Sequence, residues 1–227
     1  MEKIMYIWIP LCFFCAALFI ITDRREHHTA AAVLKGIASA CFVMPGIFSS
    51  DGSYTSFLII AGLILGAAAD VVLHMRYVDP NRKKLWFMAG IFLFLSGHIA
   101  YIAAVFPYCS QPVICILSAL LCTVLLQAWL NRHTEASRTF RIAGTFYVGT
   151  FVTLNCIAVG NLIASPSAFS AMFASGAFLF LISDIMLIIN TFGTRKSFLR
   201  RCVYLYLYYS GQLLIAFSML HQFVRTG

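Results

Sequence analysis

The sequence predicts an all-α membrane protein, with eight transmembrane helices in a single polytopic domain over residues 1–227. Of its 227 residues, 61% are apolar and only 11% are charged, an apolar share well above that of soluble domains. A run of about 20 apolar residues is long enough to cross the hydrocarbon core of a bilayer. Eight such runs follow one another with short connections: 4–21, 29–48, 55–75, 85–106, 111–130, 142–164, 168–192 and 202–223.

The placement of basic residues predicts the orientation of these helices. Lys and Arg occur in the first, third, fifth and seventh connections and are absent from the second, fourth and sixth. This alternation indicates that the basic connections face the cytoplasm and that both termini are extracytoplasmic. It also accounts for the net charge of +8, so we expect membrane lipids and no nucleic acid as partners. The expected location is the inner membrane of a bacterial cell.

Two aspartates within the apolar runs occupy the same sequence frame. Gly62 precedes Asp70 by eight residues, as Gly176 precedes Asp184, and the two aspartates are 114 residues apart (184 − 70 = 114). The same offset relates Ser96-Gly97-His98 to Ser210-Gly211-Gln212. The offset covers four helices, which predicts two parallel four-helix repeats with halves 1–110 and 111–227.

Carboxylates in hydrocarbon are costly and usually mark a functional site, so Asp70 and Asp184 are the candidate catalytic residues. Topology places them in the cytoplasmic half of the membrane, close to a layer of other polar side chains. A structural ion pair with Lys35 is the alternative role for one of these aspartates. The candidate substrate-binding residues of this layer are Lys35, His98, Tyr101, Tyr147, Tyr208, Tyr209 and Gln212. Within this set, His98 and Tyr101 either bind substrate or satisfy each other.

No metal site and no cofactor is predicted. His74 is interpreted as a residue at the membrane edge, and His27, His28, His133 and His221 lack the spacing of metal ligands. A metal site built from Asp70, His74, His98 and Asp184 is the alternative, although no HExxH-type spacing supports it.

The chain resembles the YhhN family of integral membrane proteins, which includes the lysoplasmalogenases. The resemblance covers most of the chain. It departs from the family at Gly36, where Pro is usual, and at Ala67, Ala68 and Ala69, which replace Ser and Gly before Asp70. It rests on Lys35, Gly62, Asp70-Val71-Val72-Leu73, Gly90, Gly97-His98-Ile99-Ala100-Tyr101, Tyr147 and segments 176–187 and 208–215.

The resemblance implies a hydrolase that cleaves the vinyl ether of a lysoplasmalogen into a fatty aldehyde and a glycerophospho-alcohol. Two carboxyls suit this reaction, because a protonated one can donate to the vinyl carbon and an ionised one can activate water. The carboxyl nearer Lys35 is expected to be the ionised one. Tyr147, Tyr209 and Gln212 are expected to position the water or the glycerol oxygens, and arginines of the cytoplasmic connections to hold the phosphate of the lysophospholipid substrate.

Three other functions remain open from the sequence. Membrane carboxylates in paired repeats also occur in proton-coupled small-molecule transporters, although carriers usually contain broken helices and the two aspartate helices contain no Pro. An intramembrane aspartyl protease is less favoured, because Ala67, Ala68 and Ala69 stand where a Gly-x-Gly-Asp signature would require glycine. A non-catalytic membrane sensor is the third alternative.

Overall fold

The structure is a computed structural model that describes the backbone of residues 5–224 and the side chains of residues 5–221. Within this part of the chain it consists of helices and connecting turns, without strands. The α-helices are α1 (Trp8–Arg24), α2 (His28–Phe48), α3 (Tyr54–Val78), α4 (Lys83–Val105), α5 (Pro112–His133), α6 (Arg138–Ala164), α7 (Ala168–Phe192) and α8 (Phe198–Ser218). Short 3-10 turns flank α4 and follow α8.

The predicted number of eight helices is confirmed for the described residues. Seven of them, α2 to α8, are long and apolar enough to cross a membrane, so the chain is an integral membrane protein. Helix α1 has 17 residues, and its predicted apolar run begins at residue 4, which lies outside the described residues. The orientation of the termini stays a prediction.

Successive helices alternate in direction, so the odd-numbered connections meet at one end of the bundle. Asp23, before the first connection, bonds to Arg201, after the seventh. The amide of Glu135 in the fifth connection donates to the last carbonyl of α7 at 2.8 Å. At the opposite end, the hydroxyls of Thr55 and Tyr108 lie 2.9 Å apart. The basic connections therefore share one end of the molecule, hereafter the basic end.

Glycines bring two helix pairs into close backbone contact. A Cβ atom built on Gly97 of α4 would lie 3.2 Å from the carbonyl oxygen of Gly62 in α3. A Cβ atom on Gly211 of α8 would lie 2.7 Å from the carbonyl oxygen of Gly176 in α7. Small residues at such positions let membrane helices pack closely. Gly62 and Gly97 occupy the positions equivalent to Gly176 and Gly211 in the predicted repeat. The shared contact supports the repeat, which stays a prediction.

Serine caps fix where several helices begin. The Ser53 hydroxyl accepts from the Ser56 amide at the start of α3, and the Ser167 and Ser197 hydroxyls act in the same way for α7 and α8. Such caps satisfy amides that have no partner within the helix. Helix α5 differs from its neighbours because it packs mainly on α6 and leaves much of its apolar surface exposed.

Candidate active site

A cavity of about 700 Å³ opens at the basic end of the helix bundle and is lined by both candidate aspartates. Asp70 on α3 is 2% exposed and Asp184 on α7 is 3% exposed. Leu73 and Leu187, each one helical turn beyond its aspartate, also line the cavity. The rest of its wall is largely aromatic, and basic side chains line its mouth. The two carboxyls thus face one largely apolar space that is accessible from one end.

Asp70 is held by two residues of α2. The Lys35 ammonium lies 2.9 Å from Oδ1 of Asp70, and the Ser39 hydroxyl donates to Oδ2 at 2.6 Å. Lys35 and Ser39 are one helical turn apart, so both side chains project from the same face of α2. Because all three residues are buried, the Asp70 carboxyl has a lysine partner inside the helix bundle. Ser39 was not predicted as a site residue, although its spacing from Lys35 was visible in the sequence.

Asp184 has different neighbours, which come from α6 and α4. The Tyr147 hydroxyl donates to Oδ2 of Asp184 at 2.7 Å, and Nε2 of His98 lies 3.8 Å from the same oxygen. Nδ1 of His98 is 2.8 Å from the carbonyl oxygen of Phe94. A carbonyl can only accept a hydrogen bond, so Nδ1 carries the hydrogen, and in a neutral ring Nε2 presents a lone pair to Asp184. No Lys or Arg forms an ion pair with Asp184 among the described residues.

Gln212 connects α8 to α3 and α4 beside the two carboxyls. Its Oε1 accepts a hydrogen bond of 2.7 Å from Tyr101, and its Nε2 donates to the Tyr208 hydroxyl at 3.3 Å. A Cβ atom on Gly66 would lie 2.6 Å from this Nε2, so glycine at this position leaves room for the amide. Tyr209 packs against the rings of Phe42 and Tyr208.

Three of the seven predicted substrate-binding residues line a cavity, and four do not. Lys35 and Tyr208 line the main cavity together with the aspartates, and Tyr147 lines a smaller adjoining cavity. The remaining four, His98, Tyr101, Tyr209 and Gln212, are buried but are not among the residues lining these two cavities. His98 and Tyr101 do not pair with each other, because each bonds to another group. Their role in substrate binding stays a prediction.

A third buried carboxylate, Asp23, was missed by the sequence interpretation. The apolar run ends at residue 21, but α1 continues to Arg24 and leaves Asp23 only 6% exposed. Its Oδ1 lies 3.0 Å from Nδ1 of His28 and 3.4 Å from Nε2 of His74, and its Oδ2 accepts from Arg201. His74, predicted to lie at the membrane edge, is 3% exposed and faces this carboxylate; its depth in the membrane stays a prediction.

The Asp23 cluster has the composition of a metal site. The ligand atoms of Asp23, His28 and His74 all lie within 4.8 Å of one another. However, the Arg201 guanidinium already bonds to the carboxylate, and this fixed positive charge would repel a divalent cation. We interpret the cluster as an ion-pair network that joins α1, α2, α3 and α8. The alternative metal set of Asp70, His74, His98 and Asp184 is not assembled, because His74 faces Asp23 and His98 faces Asp184.

Comparison with known proteins assigns the chain to a family. The family model described as the YhhN family matches residues 29–219 of the chain. The chain belongs to the YhhN family. The resemblance predicted from the sequence is thereby confirmed. No curated protein and no solved structure matches the chain.

The part of the chain that matches the YhhN family contains the hydrogen-bond and ion-pair partners named above for the two aspartates. It covers nearly all of α2 and the whole of α3 to α8, and therefore includes Lys35, Tyr147 and His98. Asp23 and His28 lie before the match. The Asp23 cluster thus joins a segment outside the match to the helices within it.

A second cavity of about 70 Å³ lies beside the main one. Both cavities share Leu73, Phe94 and Leu187 as lining residues, and Tyr147 belongs to the smaller one. Gly144 also lines the smaller cavity, and a Cβ atom built on it would have no neighbour within 4 Å. The smaller cavity, hereafter the side cavity, therefore extends the apolar space on the Asp184 side.

Proposed function

We propose that this YhhN family member is a membrane hydrolase that cleaves the vinyl ether of lysoplasmalogens, giving a fatty aldehyde and a glycerophospho-alcohol. The observation that carries the proposal is the unequal surroundings of two buried carboxyls on one cavity. Vinyl-ether hydrolysis uses one group that gives a proton and one that takes it. The resemblance of the chain to a family that includes lysoplasmalogenases supports the same reaction.

In this proposal, Asp70 is the ionised carboxylate. Its contact with Lys35 at 2.9 Å favours the negative charge, because a cation at this distance stabilises the ionised form. The hydrogen bond from Ser39 stabilises the same form. Asp70 then serves as the general base for water and as the negative charge that stabilises a cationic intermediate.

Asp184 is the proposed general acid. Burial without a cation partner favours the neutral carboxyl, and the lone pair of His98 is turned toward its Oδ2. At 3.8 Å these two atoms, Nε2 and Oδ2, are not hydrogen-bonded, and a carboxylate at this position would face a lone pair with no cation to offset its charge. The Tyr147 hydroxyl fixes the orientation of this carboxyl.

The reaction then follows from these two states. Asp184 transfers its proton to the β-carbon of the vinyl ether, which forms an oxocarbenium ion and leaves Asp184 ionised. Water attacks the α-carbon while Asp70 takes a proton from it, which gives a hemiacetal. The hemiacetal collapses to aldehyde and alcohol as its hydroxyl proton moves to the glycerol oxygen. Transfer of one proton from Asp70 to Asp184 through water restores the starting state.

The lining of the two cavities supports a single-chain lipid as the substrate. A lysolipid with its reactive bond between Asp70 and Asp184 could direct its polar end to the basic mouth of the main cavity. The first few methylenes of its hydrocarbon chain could enter the side cavity of about 70 Å³, whose lining near Leu130, Gly144 and Ile188 is mainly apolar. Such a pose matches an apolar pocket with a few polar groups at the reacting bond. We place the reaction in a bacterial inner membrane, with the basic end toward the cytoplasm.

A proton-coupled transporter is the alternative from another class. Carriers of this kind usually bind substrate at interrupted helices. Helices α3 and α7, which hold Asp70 and Asp184, each run unbroken for 25 residues. The hydrolase is therefore the function that the geometry supports better.

Release of fatty aldehyde from a defined lysoplasmalogen tests the proposal. Purified protein in nonionic detergent is incubated with the lipid in D₂O, and the products are measured by mass spectrometry. We expect aldehyde with one deuterium on the carbon next to the carbonyl, because the proton on that carbon comes from the solvent-exchanged carboxyl. The acyl-linked lysolipid serves as the matched substrate control and should yield no fatty acid. Absence of aldehyde together with solute uptake by proteoliposomes would support the transporter instead.

A further inference from the structure

The mouth of the main cavity is basic, and most of its basic side chains have no carboxylate partner among the described residues. The basic residues that line it are Arg76, Lys83, Lys84, Lys196 and Arg201. Of these five, only Arg201 pairs with a carboxylate among the described residues, and that carboxylate is Asp23. Positive charge at this end is expected from topology alone, but that expectation does not require the charges to line a cavity. Arg132 and Arg138 lie at the same end and line neither cavity.

Arg76 is held in place by aromatic rings. Its guanidinium carbon lies 4.8 Å from the ring centre of Tyr77 and 5.0 Å from that of Phe87. One terminal nitrogen donates to the Tyr77 hydroxyl at 3.0 Å, while its Nε is buried and has no hydrogen-bond partner. A guanidinium that is already ordered in this way loses little further conformational freedom when it binds a phosphate. Its planar donors match two oxygens of a phosphate.

The distance between the acidic and basic layers fits a glycerophosphate. Asp70 and Arg76 are six residues apart on α3, which corresponds to about 9 Å along the helix axis. In a lysoplasmalogen, about six bonds separate the vinyl α-carbon from the phosphorus, or about 7 Å at ~1.2 Å per bond of extended chain. A lipid whose vinyl ether lies between the aspartates would therefore place its phosphate at the level of Arg76.

We propose that the basic mouth is a binding site for the phosphate of a lysophospholipid headgroup, with Arg76 as the fixed donor and Lys83, Lys84 and Lys196 as surrounding cations. The identity of this lipid as a lysoplasmalogen rests on the proposed function. The phosphate site itself rests on the cavity lining and on the environment of Arg76. The mouth thereby selects phosphorylated lipids over neutral glycerol ethers of the same chain length.

Binding of lipids that the enzyme cannot cleave tests this site without relying on catalysis. The probes are a saturated 1-O-alkyl lysophospholipid and the 1-O-alkylglycerol of the same chain length, which lacks the phosphate. Their dissociation constants for the purified full chain are measured by native mass spectrometry from nonionic detergent. We expect the wild type to bind the phospholipid about ten- to a hundredfold more tightly, the usual effect of charge-assisted hydrogen bonds. Added salt should reduce this preference.

Three variants test whether the basic mouth causes the preference for the phosphorylated lipid. Arg76→Gln should remove most of it and leave binding of the alkylglycerol unchanged. The double variant Lys83→Gln/Lys84→Gln changes two exposed side chains at the start of α4 and should lower it without affecting folding. Arg138→Gln, which removes an exposed charge of the same sign at the same end of the bundle, should retain the full preference.

Several results would overturn the inference. One is equal affinity of the wild type for the two lipids. Another is an equal effect of Arg138→Gln and Arg76→Gln on the preference for the phospholipid. A third is Arg76-dependent binding of inorganic phosphate without a preference between the two lipids. The last result would indicate a site for a soluble anion. A phosphate preference without aldehyde release would leave the inference intact and contradict the proposed function. Aldehyde release without a phosphate preference would contradict the inference and leave the proposed function intact.

Discussion

The two buried carboxyls share a sequence frame and differ in their partners. Asp70 is paired with the ammonium of Lys35 and the hydroxyl of Ser39, both from α2. Asp184 receives a hydrogen bond from Tyr147 of α6 and faces an imidazole of α4. One carboxyl is thus accompanied by a full positive charge and the other by groups that carry none when His98 is neutral. The same residue in two such settings supports two protonation states, as a paired general acid and base require.

The predicted repeat offers an origin for this difference. By the offset that relates Asp70 to Asp184, the position equivalent to Lys35 is Gly149, and the position equivalent to Tyr147 is Val33. Each half therefore supplies one partner that the other half lacks. In this account the frame that positions the carboxyls stayed common to both halves, while the residues of α2 and α6 that set their charge diverged.

The largest expected effect is the loss of activity when either carboxyl is removed. Asp70→Asn and Asp184→Asn should each lower the rate of aldehyde release about 10²- to 10⁴-fold, the usual contribution of a general acid or base. Initial rates are measured by mass spectrometry with the lysoplasmalogen. Glu135→Gln, an exposed carboxylate in the fifth connection, is the matched control and should keep the wild-type rate. A folded variant of either aspartate with wild-type turnover would exclude the paired mechanism.

The second expected effect concerns stability and separates the two carboxyls. Lys35→Met leaves the charge of Asp70 buried without its partner, and removal of one member of a buried ion pair lowers the free energy of unfolding by about 3–5 kcal/mol. The double variant Lys35→Met/Asp70→Asn should recover most of this loss, because it removes the unpaired charge. Thermal or denaturant unfolding in detergent provides the measurement. If the double variant were no more stable than Lys35→Met, the ion pair would not be the cause.

The third prediction uses the side cavity, which lies next to Asp184 and Tyr147. Gly144→Leu should fill part of this space, because Gly144 lines the side cavity and nothing lies within 4 Å of a Cβ at this position. Loss of burial for about two methylenes, at ~0.8 kcal/mol each, should raise KM for long-chain substrates about tenfold.

The chain-length dependence of KM is the readout for Gly144→Leu. A short-chain substrate that does not reach the side cavity should be unaffected. Gly149→Ala on the same helix is the control, since its new methyl would make only an ordinary contact with Thr123. An equal rise in KM for short and long chains would exclude the side cavity as the site of the hydrocarbon chain.

The smallest expected effect is that of Tyr147→Phe on stability. If Asp184 is a neutral acid, loss of this hydrogen bond lowers the free energy of unfolding by about 1 kcal/mol, well below the effect of Lys35→Met. The two variants are compared in the same unfolding experiment. A loss for Tyr147→Phe as large as that for Lys35→Met would indicate that Asp184 is also charged.

The helices could be predicted from the sequence because their signal is local. Apolar runs long enough to cross a membrane located all eight, and the rarity of carboxylates within them identified Asp70 and Asp184. Asp23 was missed because the apolar run ends two residues before it, whereas α1 continues to Arg24 and tertiary packing buries the last turn. Helix ends depend on such packing more than on composition.

The partners of each carboxyl were less predictable than the carboxyls. Lys35 and Tyr147 were predicted from their depth to lie near the aspartates, but depth does not determine which aspartate each one contacts. That assignment depends on the order in which α2, α4 and α6 surround α3 and α7. Arg76 and Arg201 are two of many basic residues near the basic end that look alike in the sequence. Only the folded connections distinguish the side chains that line the cavity from those that face solvent.

The protonation states of the two aspartates test the central claim most directly. Infrared spectroscopy of the purified protein at neutral pH detects the carbonyl stretch of a buried protonated carboxyl. We predict that this band is present in the wild type and in Asp70→Asn and is lost in Asp184→Asn. Loss of the band in Asp70→Asn and its retention in Asp184→Asn would contradict the assignment of Asp184 as the acid and Asp70 as the base.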